Sequence, residues 1–146
     1  FIPVHNGIKE CPQLKVVRID GSIFFGAVDH VQKTLLQIDE ANPQQKHIFV
    51  HASGMNFVDL PGGEMLAQEA RRRKRLGGGL YLQGVKEGVC DMIRKGGYID
   101  EIGRENIFAS KTEAIATIFP RLDPEICRDC TARIFRECGD MPPQKD

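Results

Sequence analysis

A histidine and a serine form the first pair of residues that could carry chemistry. His51 and Ser53 stand two positions apart in "HASG", after the apolar run "HIFV". On an extended segment, side chains at i and i+2 lie about 7 Å apart, too far for the imidazole to take the serine proton. The sequence also has no phosphate-binding G-x-x-x-x-G-K-[ST] motif and no G-x-S-x-G motif. We interpret His51 as structural, and predict no catalytic residue.

Three cysteines near the end of the chain form the second group. Cys127 and Cys130 make a C-x-x-C motif, and Cys138 follows. A zinc ion needs its sulfur ligands at about 2.3 Å, but Cys127 and Cys138 would lie about 16 Å apart on a continuous helix. No histidine occurs in residues 52–146. We interpret the cysteines as small apolar residues on one helical face, and predict no metal, no cofactor and no obligatory disulfide.

A basic run forms the third group. It holds five of the 20 Lys and Arg residues in a chain whose formal net charge is zero: Arg71, Arg72, Arg73, Lys74 and Arg75. The run suits a solvated helix end, where cations face the negative pole of the helix dipole. It also suits an anionic-lipid patch, where each cation contributes about 1 kcal/mol. No aromatic residue is interleaved to stack on bases, so nucleic-acid binding is not predicted.

Alternating strand and helix patterns predict the elements that position these groups. Short apolar runs predict strands over 14–19, 47–52, 80–84 and 106–109. Apolar residues at helical spacing predict helices after the first three strands, ending before Asn42, at the glycines 77–79 and at Gly96. Ser110 and Glu113 form a capping box that opens a fourth helix, over 111–119. This order favours a mostly parallel sheet with right-handed crossovers.

The predicted architecture is a single α/β domain with a small, mixed, mostly parallel sheet and about four helices. We assign 1–13 to an N-terminal segment, 14–120 to the domain, and 121–146 to a helical extension with a polar tail. Asp123 is a good N-cap, with Pro124 and Glu125 behind it, so a short C-terminal helix is predicted to run to about Cys138.

The segment "HIFVHASGMNFVDLPGGEMLAQEARRRKRLGGGLYLQGVKEGVCDMIRKGGYIDEIGRENIFASKTEAI" resembles a STAS domain. This module is shared by SulP-type (sulfate permease) anion transporters and anti-sigma factor antagonists, and the resemblance covers about 14–119. The details are most similar to the C-terminal domains of bacterial SulP permeases. The resemblance implies that residues 1–13 follow a transmembrane region, and that the domain lies at the cytoplasmic face of the bacterial inner membrane. The expected partners are the parent transporter's transmembrane domain and another cytoplasmic protein.

The resemblance also points to the loop Asp59, Leu60, Pro61, Gly62 and Gly63 as a binding site. The family's loop carries an aspartate, a small residue, a serine or threonine acceptor and a glycine. Here Asp59 matches the aspartate, Pro61 falls at the acceptor position and Gly62 matches the glycine, while His51 replaces an acidic residue at the end of the preceding strand. The loop is therefore expected to dock a partner without being a phosphorylation switch. Ser53 is the nearby hydroxyl that could substitute as acceptor.

Two further expectations concern the chemistry of this loop. The N–H groups of Gly62 and Gly63 are expected to receive an acidic partner group or a phosphate at the start of the following helix. Replacement of Asp59 by lysine is expected to weaken partner binding with little loss of stability.

Two functions follow from the resemblance, and a third follows from the position of the loop at a helix N-terminus. The first is a non-catalytic regulatory and protein-interaction domain of a SulP-type transporter of sulfate or another anion. The second is a free-standing anti-sigma factor antagonist. The third is a nucleotide-sensing domain with weak nucleotide binding at the loop.

Overall fold

A five-stranded sheet forms the centre of the computed structural model, which describes residues 2–4, 11–23 and 25–129. Its strands, in spatial order, are β1 (Ile2–Val4), β2 (Leu14–Arg18), β4 (His47–His51), β6 (Gly79–Gln83) and β7 (Ile107–Phe108). The strands from β2 to β7 are parallel, and β1 pairs antiparallel with β2. The mixed, mostly parallel sheet predicted from the sequence is confirmed.

A second, two-stranded parallel sheet lies beside the first, with β3 (Gly21–Ile23) paired to β5 (Met55–Val58). The helices are α1 (Phe25–Ala41), α2 (Leu60–Arg75), α3 (Glu87–Lys95), α4 (Ile99–Ile102), α5 (Lys111–Ile118) and α6 (Pro124–Asp129). Short 3₁₀ turns cover Arg104–Asn106 and Phe119–Arg121. The four predicted helices are confirmed, whereas β1, β5 and α4 were not predicted.

Alternate residues of the central strands pack on opposite faces of the sheet. In β4, Ile48 and Val50 belong to the core that includes α1 to α4, whereas Phe49 belongs to a second core on the other face. In that second core, Phe49 and Tyr81 pack with Ile115 and Ile118 of α5. Helices therefore cover both faces, which is why the central strands are continuous apolar runs.

The segment after α5 is anchored to the domain near the start of β2. Leu122 is buried in the second core. The side chain of Gln13 donates to the carbonyl of Asp123 at 3.1 Å and accepts from its amide at 2.7 Å. The carboxylate of Asp123 accepts from the amide of Glu125 at 2.9 Å, as the predicted cap requires. The predicted end of this helix, with Cys130 and Cys138, lies outside the described residues.

The described ranges are residues 2–4, 11–23 and 25–129. Within them, no group of three or more His, Cys, Asp or Glu side chains could hold a metal ion. Over the same ranges, no helix combines the length and hydropathy that crossing a bilayer requires.

Candidate functional site

The predicted binding loop begins with a capped helix terminus. Asp59 is the N-cap of α2 in an extended conformation, and its carboxylate accepts a hydrogen bond from the amide of Gly62 at 2.9 Å. Its carbonyl accepts from the amide of Gly63, also at 2.9 Å. Pro61 lies in the first turn, where its missing N–H costs no helical hydrogen bond. The side chain and the carbonyl of Asp59 therefore both bond to the first turn of α2.

These bonds correct two expectations about the loop. The amides of Gly62 and Gly63 already donate within the chain, so they are not available to a phosphate in the way that was expected. Because Asp59 supplies the cap, its replacement by lysine must also cost stability, contrary to expectation.

Gly63 is required by packing against another element. A Cβ atom at this position would lie 2.8 Å from Cδ2 of Tyr98, a separation that real Cβ contacts do not reach. Tyr98 immediately precedes α4 and is packed against the main core. The glycine therefore lets α2 approach Tyr98 closely, and its role is structural.

The loop presents apolar side chains on either side of the cap. Leu60, the first residue of α2, is 53% exposed, and Phe57 of β5 is 50% exposed. Pro61 is exposed as well. Beside Phe57, the Lys86 ammonium group donates to the Asn56 side chain at 2.7 Å. The exposed apolar side chains of Phe57, Leu60 and Pro61 are therefore carried near a polar pair, Lys86 and Asn56.

His51 bonds across the sheet. Its Nδ1 lies 2.9 Å from Oε1 of Gln83 in β6, and Nε2 of Gln83 donates to the carbonyl of Ala109 at 3.2 Å. These bonds join the ends of β4 and β6 to the residue that follows β7. Ser53 is exposed, and its hydroxyl lies so close to Gly84 that a Cβ there would collide with it. Ser53 therefore lies beside the end of β6.

The basic run at the end of α2 is divided between the interior and the surface. Arg73 is 0% exposed. It donates to Glu69 at 2.8 Å, forms an ion pair with Asp39 of α1 at 2.5 Å, and donates to the carbonyl of Gln45 at 3.3 Å. Arg72 pairs with the same two carboxylates, at 2.7 Å to Glu69 and 2.6 Å to Asp39. The hydrogen bond to Glu69 raises the pKa of Arg72. Two arginines and two carboxylates therefore form an ion cluster between α1 and α2.

The expectation of a five-residue lipid patch is wrong for Arg73 and Arg72, because the ion cluster engages them. Arg71 forms an ion pair with Glu101 at 2.5 Å and remains exposed, as do Lys74 and Arg75. Sequence reasoning missed Asp39, whose position gives no signal that it pairs with residues on another helix.

Comparison with known proteins identifies the family. The model of the STAS domain family matches residues 3–114. The chain belongs to this family. The STAS domain is 25% identical over 100 residues, 68% of its length, to the putative sulfate transporter YvdB of Bacillus subtilis (strain 168), and spans 18% of that protein.

Solved structures share the fold of this STAS domain. A sulfate transporter family protein from Wolinella succinogenes superposes with a TM-score of 0.63 at 23% identity, over 74% of this chain and 86% of that one. The anti-sigma factor antagonist SpoIIAA, in its unphosphorylated form, superposes with a TM-score of 0.59 at 18% identity, over 77% of this chain and 93% of that one. Both the transporter-type and the antagonist-type relatives therefore have the architecture described above.

Proposed function

We propose that this STAS domain is the non-catalytic regulatory and interaction domain of a SulP-type transporter of sulfate or another anion. Support comes from the match to the family and from the similarity to YvdB, a putative sulfate transporter of which the chain spans only 18%. The domain lies at the cytoplasmic face of the bacterial inner membrane, beside the parent's transmembrane domain. The exposed cations Arg71, Lys74 and Arg75 suit proximity to anionic headgroups.

The loop 59–63 and the neighbouring Phe57 form the docking surface in this proposal. The observation that carries it is the exposure of Leu60 and Phe57, at 53% and 50%, on a backbone fixed by the Asp59 cap. Apolar side chains held rigidly at a surface lose little conformational entropy when a partner covers them. A protein segment with apolar side chains fits this surface better than a phosphate, because the amides of Gly62 and Gly63 are engaged.

A pair of matched variants in the full-length parent transporter tests the docking surface. Leu60→Asp places a charge at the start of α2, and Leu76→Asp is the control, because Leu76 is 46% exposed just beyond the other end of the helix. With equal membrane levels, we expect Leu60→Asp to change anion uptake at least several-fold and Leu76→Asp to leave it unchanged. Equal uptake in both variants would contradict the docking role of the loop.

The second part of the proposal is that the loop has lost the phosphorylation switch. The resemblance places Pro61 at the acceptor position, and proline has no hydroxyl. Ser53 is exposed but lies beside Gly84 at the end of β6. Mass spectrometry of the protein from its native cells is expected to show no stoichiometric phosphate in residues 51–63. Phosphate on Ser53 at high occupancy would restore the switch and refute this part of the proposal.

A further inference from the structure

A cavity of about 340 Å³ opens at the amino-terminal edge of the sheet, where β4 and β6 begin. It lies at the opposite end of α2 from the loop 59–63, because Lys74 of the last turn and the glycines 77–79 line it. The lining also includes the side chains of His47, Tyr81 and Arg121. Arg121 follows the residues matched by the family model, which end at 114. The cavity is therefore partly built by the segment after α5.

A chain of polar contacts crosses this cavity wall. Nδ1 of His47 lies 3.0 Å from the hydroxyl of Tyr81, and the two rings stack with centroids 5.9 Å apart. The Arg121 guanidinium lies 5.7 Å from the centroid of the Tyr81 ring, and it donates to the side chain of Asn106 at 2.9 Å. The exposed guanidinium of Arg121 and the buried imidazole of His47 therefore both lie next to Tyr81.

The protonation states of His47 and Tyr81 fix which groups can donate. Burial, followed by the charges of Arg121 and other nearby cations, lowers the pKa of His47 to about 4, so the imidazole is neutral near pH 7. Burial raises the pKa of Tyr81, so its hydroxyl keeps the proton. We assign Tyr81 as the donor to Nδ1, since the positive charge of Arg121 lies near its oxygen. The single N–H of the neutral imidazole is then on Nε2.

This second nitrogen of His47 has no protein acceptor among the residues that the structure describes. The side chain is nevertheless only 6% exposed and lines the cavity. Nε2 of His47 is not among the buried side-chain atoms that lack a hydrogen-bond partner, so it reaches the solvent that fills the cavity. The geometry therefore leaves a hydrogen-bond donor for an occupant of the cavity.

Charged side chains of both signs line the cavity. Its acidic lining residues are Asp100, Glu101 and Glu105. Glu101 pairs with Arg71 at 2.5 Å, whereas Asp100 lies 3.8 Å from Arg104 in an exposed pair that water screens. Neither of these arginines lines the cavity.

The two cationic residues that line the cavity have fewer oppositely charged partners than the acidic ones. Lys74 and Arg121 both line the cavity, and no ion pair of either one is found within residues 2–4, 11–23 and 25–129. Three carboxylates and two cations line the cavity, so an anion is favoured only locally, beside Lys74 and Arg121. Two cations and one neutral N–H donor together match the oxygens of an anion.

We propose that this cavity binds a small anionic ligand through a carboxylate or phosphate group that contacts Arg121, Lys74 and the N–H of His47. The volume is at the lower end of the range for small-molecule sites, about 300–1,000 Å³. It suits a ligand the size of a small organic acid or phosphate ester. This site is distinct from the docking loop, and it stands or falls independently of the proposed function.

Calorimetric titration of the 146-residue chain with citrate and with inorganic phosphate, at constant ionic strength, tests the site. We expect one site for at least one probe, and the probe that binds tells whether a carboxylate or a phosphate is the recognised group. Arg121→Gln and Lys74→Gln should each weaken binding about tenfold, the effect of losing one charge-assisted hydrogen bond. Both residues are exposed, so the variants should fold. Arg94→Gln is the matched control, because exposed Arg94 on α3 does not line the cavity.

Amide chemical shifts locate the bound probe. We expect ligand-dependent shifts at residues 77–79 and 103–106, around the cavity. Binding of neither probe, equal affinity in Arg121→Gln and Arg94→Gln, or shifts confined to the loop 59–63 would each overturn the proposal.

Discussion

The cap of α2 gives a prediction in which stability and binding can be separated. Asp59→Ala removes the carboxylate that accepts from the amide of Gly62 at 2.9 Å. Loss of such a cap costs about 1 kcal/mol, and loss of a negative charge at a helix N-terminus adds about 0.5 kcal/mol. The total of about 1.5 kcal/mol should lower the melting temperature by about 3–6 °C for a domain of this size. Asp59→Asn keeps an oxygen that can accept the same bond, so it should lose only about 0.5 kcal/mol.

Urea denaturation of the three proteins measures both effects. The two variants should differ by about 1 kcal/mol in the free energy of unfolding. Equal midpoints for Asp59→Ala and Asp59→Asn would refute the assignment of Asp59 as the cap. Because Asp59→Asn preserves the loop, any loss of partner binding in that variant reports on the charge alone.

Three further predictions concern the interior. Arg73→Ala leaves two carboxylates without their buried partner and should lower the free energy of unfolding, measured in urea, by about 3–5 kcal/mol. The control Lys74→Ala changes an exposed position and should alter that free energy by less than about 0.5 kcal/mol. Similar losses in the two variants would contradict the buried ion cluster. Burial lowers the pKa of His47 to about 4 from 6.5. Its contribution to stability is therefore complete above pH 6.5 and is lost as the pH falls towards 4. This pH-dependent contribution amounts to about 3 kcal/mol. In His47→Gln, the free energy of unfolding should therefore depend less on pH between 4 and 6.5. An unchanged pH dependence would count against burial of a neutral imidazole. Truncation after Phe119 removes the buried side chain of Leu122, whose burial contributes about 2 kcal/mol. The melting temperature should therefore fall by about 5 °C. An unchanged melting temperature would show that the extension is only a tail.

Elements with a clear pattern of apolar residues or a capping motif were predictable from the sequence. The strands β2, β4 and β6 are apolar runs buried on both faces, and Ser110 caps α5 as its capping box predicts. The elements β1, β5 and α4, which were missed, are three or four residues long. Segments so short have no measurable period, and their structure depends on neighbours that are distant in sequence.

The place of the loop 59–63 at the start of α2 was predictable from the sequence, whereas its hydrogen bonds were not. Resemblance to the family located the loop at Asp59, but it did not reveal that the cap already uses the amides of Gly62 and Gly63. The basic run was visible in the sequence, yet the burial of Arg73 depends on Asp39, which lies on a different helix. Likewise, nothing local to His47 or Arg121 shows that they line one cavity. Contacts between elements decide these roles, and they have no local signature.

The paired hydrogen bonds between Gln13 and Asp123 have a consequence for the order of folding. They join residues 110 positions apart. Closing a flexible loop of that length costs about 4 kcal/mol, and two hydrogen bonds contribute only about 2 kcal/mol. The bonds therefore form only after the sheet has brought β2 and the end of α5 together. During synthesis, the sheet and α5 leave the ribosome before Asp123 does, so the strands and α5 are available to pair before these two bonds can form.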